Sequence, residues 1–294
     1  MSEHPMKNTF KRNSRIFMLV PLLAVLGACS QSDESTTEQT ESAVTQTTVV
    51  SADGPPRLED GTVNLGPPPG SMGFWTANNG RLVNDPNNYE AARREMNSRV
   101  NIEDAPLQPW TLALTNYRQD TFIASEPYTR CKPAGGPRQI MSPYGFEIVQ
   151  MPEMERVYIL TVSNAMSYRT IYMDGREHPA EILRPTYLGH SIGHWEGDTL
   201  VIDTVGFSER SWTNRDGLPT TDKLHLTERL TRSSLNDMDY TFTIDDPGAY
   251  TAPWTSGFGV EWNADQEVFE YMCQENNISP AAMVGEGRLS IIVP

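Results

Sequence analysis

Basic residues are in short supply in this 294-residue chain: 23 lysines and arginines stand against 38 aspartates and glutamates, for a net charge of −15. An acidic surface repels phosphate backbones and anionic headgroups, which argues against nucleic acid or anionic lipid as a partner of the folded part. Cysteine is nearly absent, with three residues, and none belongs to a Cys-x-x-Cys pair, so a zinc site is not expected. Histidine is scarce as well, at five residues, and none stands in a His-Glu-x-x-His arrangement. No apolar run is long enough to span a bilayer, which takes roughly 20 residues; the one at residues 16–26 has about eleven.

That short run has another meaning. Lys7, Lys11, Arg12 and Arg15 precede it, and Leu26-Gly27-Ala28 puts small residues before Cys29, so residues 1–28 are expected to be a cleaved signal peptide. Leu-Gly-Ala-Cys resembles a lipobox, which implies diacylation of the Cys29 thiol and acylation of its new amino group; the alternative is ordinary secretion with Cys29 incidental. Ser30, where aspartate commonly signals inner-membrane retention, points to the outer membrane of a Gram-negative-type envelope, facing the periplasm. Buried acyl chains, at ~0.8 kcal/mol per CH₂, would make the anchor stable. Cleavage removes four basic residues and one acid, which moves the net charge from −15 to −18.

Behind Cys29, residues 31–53 are rich in Ser, Thr, Gln and Glu and have little to bury, so 29–60 reads as a lipidated, flexible tether. Residues 61–130 read as a Pro-rich, partly helical extension. Helices are expected at 88–100 and at 109–120, the second with Pro109 in its first turn. Residues 131–294 read as an antiparallel β domain, with strands at 146–150, 156–163, 168–174, 191–196, 199–205, 223–231, 238–245, 258–262 and 267–273. Gly197-Asp198 makes a tight hairpin turn, and in 239–245 the aromatic and aliphatic residues all fall on one face. Many short strands in a meander point to a mainly β, calycin- or lipocalin-like barrel with a partly helical N-terminal extension, wide enough for one small ligand. Closing such a meander brings Cys131, before its first strand, to Cys273, at its end. In an oxidising space with Cys29 lipidated, those two are expected to form a disulfide.

Several runs are similar to a family of uncharacterised exported bacterial proteins. They are Cys131-Lys132-Pro133 with Gly136-Pro137-Arg138, Arg169-Thr170-Ile171-Tyr172-Met173-Asp174-Gly175-Arg176 with His178-Pro179, Gly189-His190-Ser191-Ile192-Gly193-His194-Trp195-Glu196-Gly197-Asp198-Thr199-Leu200-Val201, and Leu224-His225 with Glu228-Arg229. The resemblance covers about residues 105 to 277 and implies export and a β fold; it assigns no catalytic residue.

Gly189-His190-Ser191-Ile192-Gly193 fits the nucleophile elbow G-x-S-x-G, but an elbow needs a helix behind the serine, and the sequence continues as strand, turn, strand. His190, His225, Asp203 and Glu228 are the candidate acid–base residues, and His178 sits in the Gly175-Arg176-Glu177-His178-Pro179 loop; the bland reading makes the histidines rim or surface residues satisfied by backbone and water. Arg169, Tyr172, His194, Trp195 and Arg229 are candidate ligand contacts. An inward Arg169 would demand a carboxylate such as Asp174, Asp203 or Glu228. Among the aromatics Tyr172, Trp195, Trp212, Phe242, Trp254 and Trp262, about two are expected in a pocket and the rest in the core. No metal and no cofactor is expected. The leading expectation is a barrel binding a small, partly apolar molecule. The alternatives are a lyase, isomerase or hydrolase on the same barrel and an envelope-assembly lipoprotein, which would have a filled barrel and an exposed apolar patch.

Overall fold

Alternation of buried and half-exposed positions runs along most of the strands that the sequence pattern marks. In the computed structural model, which describes residues 54–77, 105–121, 125–162, 165–182 and 184–275, they form one closed barrel of nine strands in sequence order. These are β1 (Gly73–Ala77), β2 (Phe146–Met151), β3 (Arg156–Thr161), β4 (Ser167–Tyr172), β5 (His190–Glu196), β6 (Thr199–Val205), β7 (His225–Arg232), β8 (Asp237–Asp245) and β9 (Trp254–Ala264). The residues expected to form a signal peptide (1–28), Cys29, the part of the expected tether up to residue 53 and the helix expected at 88–100 lie outside the described residues.

The fold is mainly β and the barrel closes as expected. In β8, Met238, Tyr240, Phe242 and Ile244 point inward, while Asp239, Thr241 and Thr243 face out; β7 alternates the same way. Ile148, Ile159, Ile171, Leu200, Ile202, Leu226, Leu230, Phe258 and Val260 join them, so side chains fill the lumen. At roughly 25 cal/mol per Å² of apolar surface, this shared core is the main force closing the sheet.

Three features depart from the expected meander. First, β1 comes from the segment read as extension, and it closes the barrel by pairing with β2 at Trp75–Phe146 and with β9 from Gly73–Ala264 to Ala77–Val260. Second, residues 267–273 form no strand. Their β-prone residues have no edge to join, because β1 already occupies the outer edge of β9. Third, β4 and β5 run parallel and pair at only two positions, Ile171–Ser191 and Tyr172–Ile192. A parallel pair needs a crossover, and the connection between Tyr172 and His190 supplies it.

The chain before β1 is a strap across one end. Val63 and Leu65 are buried there, Trp75 Nε1–H donates to the Leu65 carbonyl (2.7 Å), and the Arg232 guanidinium donates to the carbonyls of Asn64 (2.6 Å) and Gly66 (2.9 Å). Arg57 reaches Asp198 in the β5–β6 turn through two bonds of 2.9 and 2.6 Å. The helix expected at 109–120 is present as α1 (Pro109–Asp120); it docks on the β8–β9 connection, where Thr111 Oγ1 donates to the Ala249 carbonyl at 2.7 Å. Cys131 and Cys273 form the expected disulfide, with Cα atoms 5.5 Å apart.

Candidate functional site

Where β4 and β5 separate beyond their two paired positions, the barrel wall opens. A cleft of about 450 Å³ lies there, lined among others by Tyr168, Arg169, Tyr172, Tyr187, Leu188 and His190. Both glycines of the G-x-S-x-G motif serve this wall. Gly189 has φ +71° and enters β5 so close to Thr204 and Val205 that a Cβ would lie 2.6 Å from Thr204 Cγ2. A Cβ on Gly193 would lie 2.8 Å from Ile171 and from Met173. Ser191 points inward and shares a 2.9 Å hydrogen bond with Thr204 Oγ1; a hairpin, not a helix, follows it. The motif is packing, and the elbow reading falls with it.

Outside the wall, beside the cleft, two histidines share one carboxylate and a third joins them through its contact with one of the two. Asp203 on β6 accepts from His178 Nε2–H through Oδ1 (2.6 Å) and from His225 Nε2–H through Oδ2 (2.6 Å). His178, in the β4–β5 crossover, brings its Nδ1 to 2.8 Å from His190 Nδ1 on β5. The registers Ile192–Asp203 and Asp203–Thr227 set His190, Asp203 and His225 on the same outer face of neighbouring strands. The groups are strung in a chain rather than aimed at one point, and no cluster among the described residues has a metal-holding arrangement.

Tyr172 ties this network to the cleft. Its ring stacks on His190, with centroids 5.3 Å apart and planes at 21°, and the guanidinium groups of Arg176 (4.0 Å) and Arg156 (4.5 Å) lie over it. Asp174 binds both arginines, at 2.6 Å to Arg176 and 3.1 Å to Arg156. The hydrogen bonds from Arg176 hold the Asp174 carboxyl well below the usual carboxylate range, with the Arg156 charge adding to them. For His190 the balance is opposite. Burial first, then His178 and the Arg176 charge, push its pKa below the ordinary histidine value of 6.5.

Inside the wall sits a second polar group. Arg169 (2% exposed) and Glu228 (0%) pair bidentately across the lumen, at 2.5 and 3.1 Å, and Tyr240 O–H donates to Glu228 Oε1 at 2.7 Å. Desolvation would lower the Arg169 pKa, but attraction to Glu228 outweighs it and keeps the guanidinium charged. Burial, then the Glu228 charge, raises the Tyr240 phenol well above its ordinary value. Arg169 also lines the cleft, and among the described residues its buried Nε–H has no partner.

The sequence-derived candidates therefore split. His190, His225 and Asp203 come together, while Glu228 lies on the opposite face of β7 and belongs to the buried pair with Arg169. Arg169 and Tyr172 line the cleft; His194, Trp195 and Arg229 do not. His194 and Arg229 are exposed partners of Glu196, at 3.2 and 2.7 Å, and Trp195 turns inward against the core. Of the six aromatics only Tyr172 lines the cleft; Phe242, Trp254 and Trp212 are buried, and Trp262 packs against Trp75. His178 was no more than a loop histidine in the sequence, and Tyr168, Tyr187 and Leu188 were not singled out. Compared with protein-family models, curated proteins and solved structures, the chain matches none.

Proposed function

We propose that this chain is an exported lipoprotein, anchored through Cys29 and facing the periplasm, whose barrel binds a small, partly apolar molecule in the β4–β5 cleft. The observation that carries the reading is the make-up of that opening: about 450 Å³ of space with Tyr168, Tyr172, Tyr187 and Leu188 for apolar contact and Arg169 and His190 as oriented polar groups. Pockets for small molecules combine these two ingredients in this proportion. The site differs from a lipocalin-type lumen, because side chains fill the lumen here. The lipobox-like Leu-Gly-Ala-Cys segment and the resemblance to exported proteins support the address.

An amphipathic aromatic anion, 1-anilinonaphthalene-8-sulfonate, is a suitable probe. One molecule should bind per chain with a fluorescence gain. Thr170→Trp, at a half-buried position lining the cleft, should abolish the gain by filling the space. Equal binding by the wild type and the filled variant would refute the cleft as the site.

A further inference from the structure

Carried back from Ile171–Ser191, a continuous parallel ladder would set Thr170, Arg169 and Tyr168 against His190, Gly189 and Leu188. The pairing stops instead, and the far side of the gap is fixed. Thr186 is held by the chain leaving β6: its N–H donates to the Gly206 carbonyl (3.0 Å), and its carbonyl accepts from Ser208 N–H (2.8 Å). Gly135 packs on the Tyr187 carbonyl so closely that a Cβ would lie 1.6 Å from that oxygen. Gly189, at φ +71°, then turns the chain into β5. The opening is built into the wall, with the edge of β4 along one side.

The main-chain groups on that edge follow from the register. Met173 N–H donates to the Glu155 carbonyl (2.9 Å), one step beyond the Arg156–Tyr172 pair, so Ile171, Arg169 and Ser167 also address β3. Direction alternates along an antiparallel strand, so Tyr168, Thr170 and Tyr172 turn their N–H and C=O groups to the β5 side. The Ile171–Ser191 bridge takes up the Thr170 C=O and the Tyr172 N–H. Left over are the N–H and C=O of Tyr168 and the N–H of Thr170, which have no partner among the described residues. Both residues line the cleft. A row of this kind is the template on which another strand forms.

We propose that the cleft takes a short, extended peptide, which adds a strand segment beside β4. Two of its carbonyls accept from Tyr168 N–H and Thr170 N–H, and one of its N–H groups donates to the Tyr168 carbonyl. This rests on the cleft being a small-molecule site and names the class of molecule. An N–H and a C=O offered by one residue, with a second N–H two residues on, is the pattern that another peptide backbone matches, in either direction. The edge from Tyr168 to Thr170 is about three residues long, or ~10 Å at the strand rise, which sets the length of the peptide. Side chains along that segment alternate between the two faces of the sheet. Those on the outer face meet the rings of Tyr168 and Tyr172, which alternate with buried Arg169 and Ile171, so an apolar residue is favoured there.

N-acetyl-Ala-Leu-Ala methylamide is the probe, titrated into the full-length, nitrogen-15-labelled chain. A second peptide, with methyl groups on its alanine and leucine nitrogens, keeps every carbonyl and loses those donors. The first peptide should displace the naphthalenesulfonate dye, move the Tyr168 and Thr170 amide-proton signals downfield and slow their exchange with D₂O. The N-methylated peptide should bind ~10–100-fold more weakly, because the Tyr168 carbonyl is then covered without a donor. Equal affinity for the two peptides, or binding that leaves the Tyr168 and Thr170 amides unmoved, overturns the strand pairing. If neither peptide binds while the dye does, the cleft holds a small molecule that is not a peptide, and only this inference falls. If the dye does not bind either, the cleft itself fails as a site.

Discussion

Replacing Glu228 by leucine removes one half of a charge pair that has almost no contact with water. Arg169 and Glu228 are 2% and 0% exposed, so the stranded guanidinium would keep its charge in an interior whose remaining polar partner, Tyr240, has also lost its acceptor. Breaking a buried pair from one side costs ~3–5 kcal/mol, a large share of the ~5–15 kcal/mol that holds a typical domain together. Replacing both residues is different: Arg169→Met with Glu228→Leu exchanges the pair for apolar volume, a change that is often neutral or stabilising in itself. Only the Tyr240 hydroxyl then lacks a partner, which costs ~1–3 kcal/mol. The single variant should therefore be less stable than the double. Urea unfolding, followed by tryptophan fluorescence, measures both at unchanged slope. A Glu228→Leu midpoint within ~1 kcal/mol of the wild type would show that water reaches the guanidinium through the cleft, and the account of a dry lumen would fail.

The remaining predictions follow from other parts of the chain. His190 has a lowered pKa in the fold, so the unfolded chain binds more protons as the pH falls through 6.5. Stability should drop across that window and level off below the folded value, and His190→Gln should flatten this component in pH-dependent unfolding; an unchanged profile would contradict it. Reducing Cys131–Cys273, which are 142 residues apart, should cost up to about 5 kcal/mol in the chain-entropy model, and non-reducing peptide mapping should recover the linked pair. Cys29→Ser should abolish palmitate-analogue labelling and release the protein from the membrane fraction; continued labelling would refute lipidation.

Strong alternation made β7 and β8 legible, because both faces of each strand have unmistakable company. β1 was not, since its five residues fall in the stretch that reads as a Pro-rich, partly helical extension, and its partners lie far away in sequence. The same non-locality produced the false strand at 267–273: its composition suits a sheet, but whether an edge is vacant depends on β1. In the site, parity already separates His225 from Glu228, three positions apart on one strand, and grouping them overlooked that. His178 was harder to find. Its approach to Asp203 and His190 depends on the crossover forced by the parallel β4–β5 pair, and an irregular loop has no period to betray the direction of its side chains.

The most direct test of the central claim is a backbone-amide NMR titration of the protein with 1-anilinonaphthalene-8-sulfonate. The account predicts shifts concentrated at Tyr168–Tyr172 and Thr186–Ser191, the two sides of the cleft, with Tyr240 and Phe258 in the lumen unmoved. Shifts centred on lumen residues, or on the exposed Phe269 and Tyr271, with the cleft silent, would contradict it.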